Sequence, residues 1–135
     1  MLESAAAARY TQNRNTTATP GELLLALYDG LFRFLNGAKV CIENKQLPRA
    51  RELLSKAHAI VSELTIALDH SVAPELCAQL DGLYGFCTDK IQLASRKADV
   101  GAIQEVLRVL TPLREAWVIA VPKAIQEAYA AHNKP

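Results

Sequence analysis

The sequence predicts an all-α protein, an antiparallel up-down bundle of four helices. Half of the 135 residues are hydrophobic but only 6% are aromatic, so Ala, Leu, Val and Ile carry the apolar content, and Ala and Leu form helices at low entropic cost. Apolar residues recur at helical spacing in four successive stretches, and no stretch alternates over the length of a strand. The links between stretches are short, which favours antiparallel neighbours.

The first helix is predicted to begin after Thr19 and to end near Asn44. Thr19, Pro20 and Glu22 form the pattern of a capping box with proline at the first helical position. Further apolar residues lie off the main stripe or beside it, so we expect this helix to be buried on more than one side. The stripe comprises Leu24, Leu27, Leu31, Phe34 or Leu35, Ala38 and Ile42, and the additional residues are Leu23, Leu25 and Tyr28.

The second and third helices are each marked by a proline in the first turn. Pro48 marks the start of the second helix, which we expect to end around Asp69. Ser71 is predicted to cap the third helix, with Pro74 in its first turn. The stripe of the third helix includes Leu76, Leu80, Leu83, Tyr84, Cys87, Ile91 and Ala94.

The fourth helix is predicted to be capped by Asp99 and to contain two disruptions. Pro112 falls inside its apolar pattern and predicts a kink, because proline removes one backbone hydrogen bond. Pro122 is expected to break the helix, so that residues 123–129 add only a short terminal helix. The predicted organisation is therefore a mobile N-terminal arm over 1–18 with Tyr10 as its anchor, a bundle over 19–121 and a C-terminal extension over 122–135.

Composition excludes several classes of protein. The apolar content is too high for a disordered chain, and the apolar runs are far shorter than the roughly 20 residues of a membrane span. The net charge of +1 gives no electrostatic case for nucleic acid or membrane binding. The N-terminus lacks the pattern of a secretory signal, and three cysteines without a C-x-x-C pair fit a reducing cytoplasm.

No catalytic or metal-binding pattern is present in the sequence. It lacks the Glu-x-x-His pairs of di-iron bundles and the common nucleotide and hydrolase motifs, so we expect neither an enzyme nor a bound cofactor or metal. Two alternatives remain at this point. One is an interaction-only adaptor, regulator or homodimer, and the other is a phosphotransfer module carrying phosphate on His58.

Three ordered motifs resemble the FliS family of flagellin export chaperones. Residues 18–30, with Tyr28, Asp29 and Gly30, are similar to the family's T-A-S-P and L-Y-D-G signature, and Tyr10 matches a tyrosine upstream of it. Residues 80–86 resemble the family's N-L-x-x-L-Y-x-Y, and residues 113–117 match its L-R-x-A-W. The resemblance extends over roughly residues 10 to 117.

The resemblance implies a cytoplasmic chaperone that binds the disordered C-terminal segment of flagellin. Such a chaperone prevents premature polymerisation and delivers flagellin to the flagellar type III export gate, and a co-chaperone or regulator could use another face. It uses no cofactor, binds no nucleic acid and does not insert into membranes. The residues expected to contact the client are Tyr10, Leu23, Leu24, Leu27, Tyr28, Leu31, Leu80, Leu83 and Tyr84.

Overall fold

The computed structural model describes residues 19–133, which form four α-helices. These are α1 (Pro20–Glu43), α2 (Leu47–Ile66), α3 (Pro74–Lys97) and α4 (Val100–His132). Each helix packs against the next along the chain, and α1 also packs against α4. This is the up-down order expected from short links, and the predicted all-α bundle is confirmed. The predicted arm, residues 1–18, lies outside the described residues.

Two of the three predicted helix caps are confirmed. The Thr19 hydroxyl accepts from the Glu22 backbone N–H at 3.1 Å, and the Glu22 carboxylate accepts from the Thr19 N–H at 3.4 Å. Asp99 accepts from the Ala102 N–H at the start of α4. The predicted Ser71 cap is wrong. Ala73 precedes α3 without a side-chain hydrogen bond, because Ser71 donates to the Asp69 carboxylate in the preceding turn.

The predicted break at Pro122 is also wrong, because α4 continues through Pro112 and Pro122 to His132. A proline removes only one hydrogen bond from the ladder, and Val121 is buried immediately before Pro122. Residues 123–129 are therefore helical as part of α4, and the predicted boundary at 121 and 122 falls inside this helix. The kink at Pro112 stays a prediction.

The core lies along the bundle axis and receives side chains from all four helices. Its largest fully buried side chains are aromatic and aliphatic, and no polar or charged residue is buried among the described residues. Helix α2 supplies Leu53, Leu54, Ala57, Ile60, Val61 and Leu64 to it. On α3, Leu76 is 47% exposed and Cys77 takes its place in the core.

Candidate functional site

Two tyrosines from diagonally opposite helices meet in the core. Tyr28 of α1 and Tyr84 of α3 are almost completely buried, and their hydroxyl oxygens are 2.7 Å apart in a hydrogen bond that spans 56 residues of sequence. A buried hydroxyl without a hydrogen-bond partner destabilises a protein by about 1–3 kcal/mol. The pairing avoids this cost, because each tyrosine hydroxyl is the hydrogen-bond partner of the other. The sequence predicted client contacts at both positions, but the structure places both inside the bundle.

Burial shifts the acidity of the groups around this pair. It is the main cause that raises the pKa of Tyr28, and the hydrogen bond from Tyr84 partly opposes the rise. Burial also raises the pKa of Tyr84 and raises that of Cys87 to about 12. The Trp117 indole lowers the pKa of Tyr28 and so offsets part of the effect of burial. The buried Nε1 of Trp117 forms no well-aligned hydrogen bond within the described residues. These groups are neutral and unreactive at neutral pH.

The three motifs converge on this region from three different helices. Next to Tyr28, Asp29 accepts two hydrogen bonds from Arg114 of α4, at 2.6 Å from Nη2 and 2.9 Å from Nε. Gly30 faces α2, where an added Cβ would lie 3.3 Å from Ile60. The motifs therefore hold α1 against α2, α3 and α4, and their residues are mainly a scaffold.

The predicted client residues do not form one surface. Four of them lie in the core, namely Tyr28, Leu31, Leu80 and Tyr84. Leu24, Leu27 and Leu83 are partly buried and pack against that core, and Leu23 is partly exposed. Leu83 lies on α3, which is diagonally opposite α1 in the bundle. Tyr10 lies outside the described residues.

The first two turns of α1 contain no fully buried side chain before Tyr28. Residues 21–27 are all only partly buried. Leu23, Leu27 and Gly30 are spaced i, i+4 and i+7, so they share the side of α1 that faces α2. Gly30 lies beside Ile60, and Gly37 lies beside Leu53. In this antiparallel register, α2 ends at Ile66, close to the level of Leu23 on α1.

Helix α4 passes the same level and continues beyond it. An added Cβ at Gly21 would lie 2.7 Å from Val121 Cγ1, so the first turn of α1 packs directly on α4. Val118 and Ile119 lie between Arg114 and Val121, and they are 44% and 73% exposed. We call residues 21–27 of α1, together with Val118 and Ile119, the end surface.

Sequence analysis did not predict that α4 packs on the first turn of α1. The end of the motif match at Trp117 and the expected break at Pro122 left residues 118–135 without a function. Val118 and Ile119, two aliphatic residues directly after Trp117, could have indicated that the apolar part of α4 extends beyond the motif. Tyr129, one turn from the end of α4, is also 73% exposed.

The described residues offer no candidate metal site. No group of three or more His, Cys, Asp or Glu side chains within residues 19–133 is placed to hold a metal ion. None of the helices described is long and apolar enough to cross a membrane. The fold and the end surface define a four-helix-bundle protein with partly exposed apolar residues at the start of α1.

Comparison with known proteins agrees with this class. The family model described as "Flagellar protein FliS" matches residues 2–124. A flagellar secretion chaperone FliS from Bacillus subtilis is 38% identical over 112 residues, which cover 83% of each chain. The one from Campylobacter jejuni is 33% identical, covering 80% of this chain and 84% of the relative.

A solved structure gives the same result. The "Crystal structure of flagellar chaperone from bacteria" has a TM-score of 0.73 and 25% identity, and covers 90% of this chain and 98% of that one. The chain belongs to the FliS family of flagellar secretion chaperones. Members of this family are chaperones rather than enzymes, which sets aside the phosphotransfer module suggested by His58.

Proposed function

We propose that this chaperone binds the disordered C-terminal segment of flagellin in the cytoplasm and delivers it to the flagellar export apparatus. The observation that carries this proposal is the end surface, where leucines of α1 remain partly exposed at the same level of the bundle as exposed aliphatic residues of α4. The relatives are named flagellar secretion chaperones, which supports an export substrate as the client.

The physical basis of binding is helix-in-groove recognition. A disordered apolar segment aggregates when it is free, and it buries its apolar side chains when it folds as an amphipathic helix against the bundle. The client loses conformational entropy as it orders, so affinity per unit area stays modest and release remains feasible. Within the end surface the contacts are aliphatic, through Leu23, Leu24 and Leu27 with Val118 and Ile119.

The roles of the other predicted contacts follow from their positions. Tyr28, Leu31, Leu80 and Tyr84 act indirectly in this proposal, because they are buried and hold the shape of the surface. Leu83 contributes on the far side of the bundle if the client wraps around it. Loss of binding in a Tyr28→Ala variant would therefore not identify a contact, since that variant removes a core side chain.

Leu23→Gln tests the end surface with little risk to the fold. Leu23 is partly exposed and lies outside the buried core cluster, and burying a leucine contributes about 1.5–3 kcal/mol. We expect the variant to bind the C-terminal segment of flagellin about tenfold more weakly by calorimetry. The matched control is Val40→Gln, an apolar-to-amide change at a 53% exposed position near the other end of α1, which should bind normally. Equal affinities for both variants would contradict the proposed site.

The arm around Tyr10 is proposed to cover the end surface when no client is bound. Tyr10 is nine residues from Thr19, and an extended chain of that length reaches about 30 Å, which is enough to span the end surface. Deletion of residues 1–15 should raise flagellin affinity and increase fluorescence of a dye that binds exposed apolar surface. If neither quantity changes, the arm has no covering role.

A further inference from the structure

Charge is distributed unevenly along the chain. All of the fifteen Lys and Arg residues lie outside residues 57–89, the stretch that contains most of α2, the following turn and most of α3. The same stretch contains the acidic residues Glu63, Asp69, Glu75, Asp81 and Asp89. A chain of nearly balanced charge therefore presents one strongly acidic hairpin.

An open cleft lies between α2 and α3 in this hairpin, with a volume of about 480 Å³. Neither of its two carboxylates, Asp81 and Asp89, forms an ion pair among the described residues. The flanking lysines are engaged on other helices. Lys56 lies over the Phe34 ring of α1, and Lys90 pairs with Glu105 of α4 at 2.8 Å. The cleft is lined by Ser62, Thr65, Ile66, Asp81, Gly85, Thr88 and Asp89.

The cleft also contains apolar surface and a glycine that the fold does not require. Ile66 is 81% exposed at its edge. An added Cβ at Gly85 would meet no atom within 4 Å, although glycine inside a helix costs about 1 kcal/mol relative to alanine. A partner that approaches the α3 backbone closely would account for the absence of a side chain at this position.

We propose that the α2–α3 cleft is a second docking site, separate from the end surface, for a basic amphipathic helix of a partner protein. The Lys or Arg side chains of that helix would pair with Asp81 and Asp89. Its apolar face would cover Ile66 and lie over Gly85. Opposite charge steers such a partner to this face and away from the rest of the surface, and the proposal does not depend on flagellin being the client.

The test uses a fluorescent 18-residue synthetic peptide that is helical, with leucine on one face and lysine on the other. Fluorescence anisotropy should show binding to the full chain, and Asp81→Asn/Asp89→Asn should weaken it about tenfold. The control pair Glu115→Gln/Glu127→Gln changes net charge equally on exposed positions of α4, and it should retain affinity within about twofold. A second test variant, Gly85→Leu, should fill the cleft and reduce binding without lowering thermal stability, because the added side chain meets open space.

Several outcomes would overturn the proposal. Equal losses in the two charge variants would mean non-specific attraction by net charge, and unchanged binding in the cleft variants would exclude the cleft. If Asp81→Asn/Asp89→Asn also weakens binding of the flagellin segment about tenfold, the cleft belongs to the client surface. If the variant abolishes self-association of the chain in light scattering, the occupant is a second copy. A flagellin segment that fails to bind any variant would contradict the proposed function while leaving the peptide result intact.

Discussion

Replacing Tyr28 with alanine is expected to destabilise this protein by about 4 kcal/mol or more. Truncating a fully buried aromatic side chain costs about 3–5 kcal/mol, and the change also leaves the Tyr84 hydroxyl without its partner at 2.7 Å. For a urea m-value of about 2 kcal/mol/M, the unfolding midpoint should fall by about 2 M. The measurement is equilibrium unfolding followed by circular dichroism.

Two controls separate packing from the hydrogen bond in this experiment. Tyr28→Phe keeps the ring and removes only the hydroxyl, so we expect it to cost about 1–3 kcal/mol. Tyr129→Ala makes the same truncation at a 73% exposed position and should change stability by about 0.5 kcal/mol or less. If Tyr28→Ala is no more harmful than Tyr129→Ala, Tyr28 does not lie in the core.

The second large effect is unfolding at alkaline pH. Burial raises the pKa of Tyr28 and Tyr84 above the ordinary value of 10.0 and raises that of Cys87 from 9.0 to about 12. The folded state therefore favours the neutral forms. Their stabilisation is complete below the unfolded pKa of each group and is lost as pH rises toward the folded value. Each group costs about 1.4 kcal/mol per pH unit in that window.

Together Tyr84 and Cys87 should remove about 3 kcal/mol per pH unit above about pH 10, and Tyr28 adds to this loss in the same direction. Because a domain of this kind is stable by about 5–15 kcal/mol, a chain at the lower end of this range should unfold cooperatively between about pH 11 and 12. Loss of helical circular dichroism should coincide with a step in tyrosinate absorbance. Tyr84→Phe should lower stability at neutral pH but reduce the alkaline slope by about 1.4 kcal/mol per pH unit. An unchanged slope would contradict the role assigned to Tyr84.

The predicted client residues show how far amphipathic periodicity can be interpreted. Leu23 and Tyr28 both lay off or beside the stripe predicted for α1, and the pattern could not separate them. The structure leaves Leu23 partly exposed and buries Tyr28 fully, because Tyr28 meets a hydroxyl from α3. Such a pairing depends on where a diagonal helix lies, and nothing in the local spacing reports that position.

The ends of the helices show the same difference between features set by nearby residues and features set by distant ones. The Thr19 capping box was predictable because its hydrogen bonds join residues three positions apart. The continuation of α4 through Pro122 could not be predicted, because proline disfavours a helix locally. The compensating contact joins Val121 to Gly21, which is 100 residues earlier in the chain. Ser71 was misassigned because the Asp69 carboxylate takes its hydrogen bonds.

The four helices, most of their ends, the main core stripes and the motifs of the FliS family could all be predicted from the order of the residues. All of these depend on contacts within a few turns of helix or on short ordered patterns. The packing of the helices against one another was needed to show which apolar residues remain exposed and that the acidic α2–α3 hairpin encloses a cleft. Those features depend on relative helix lengths and on the register between neighbouring helices, which side-chain packing across the bundle fixes.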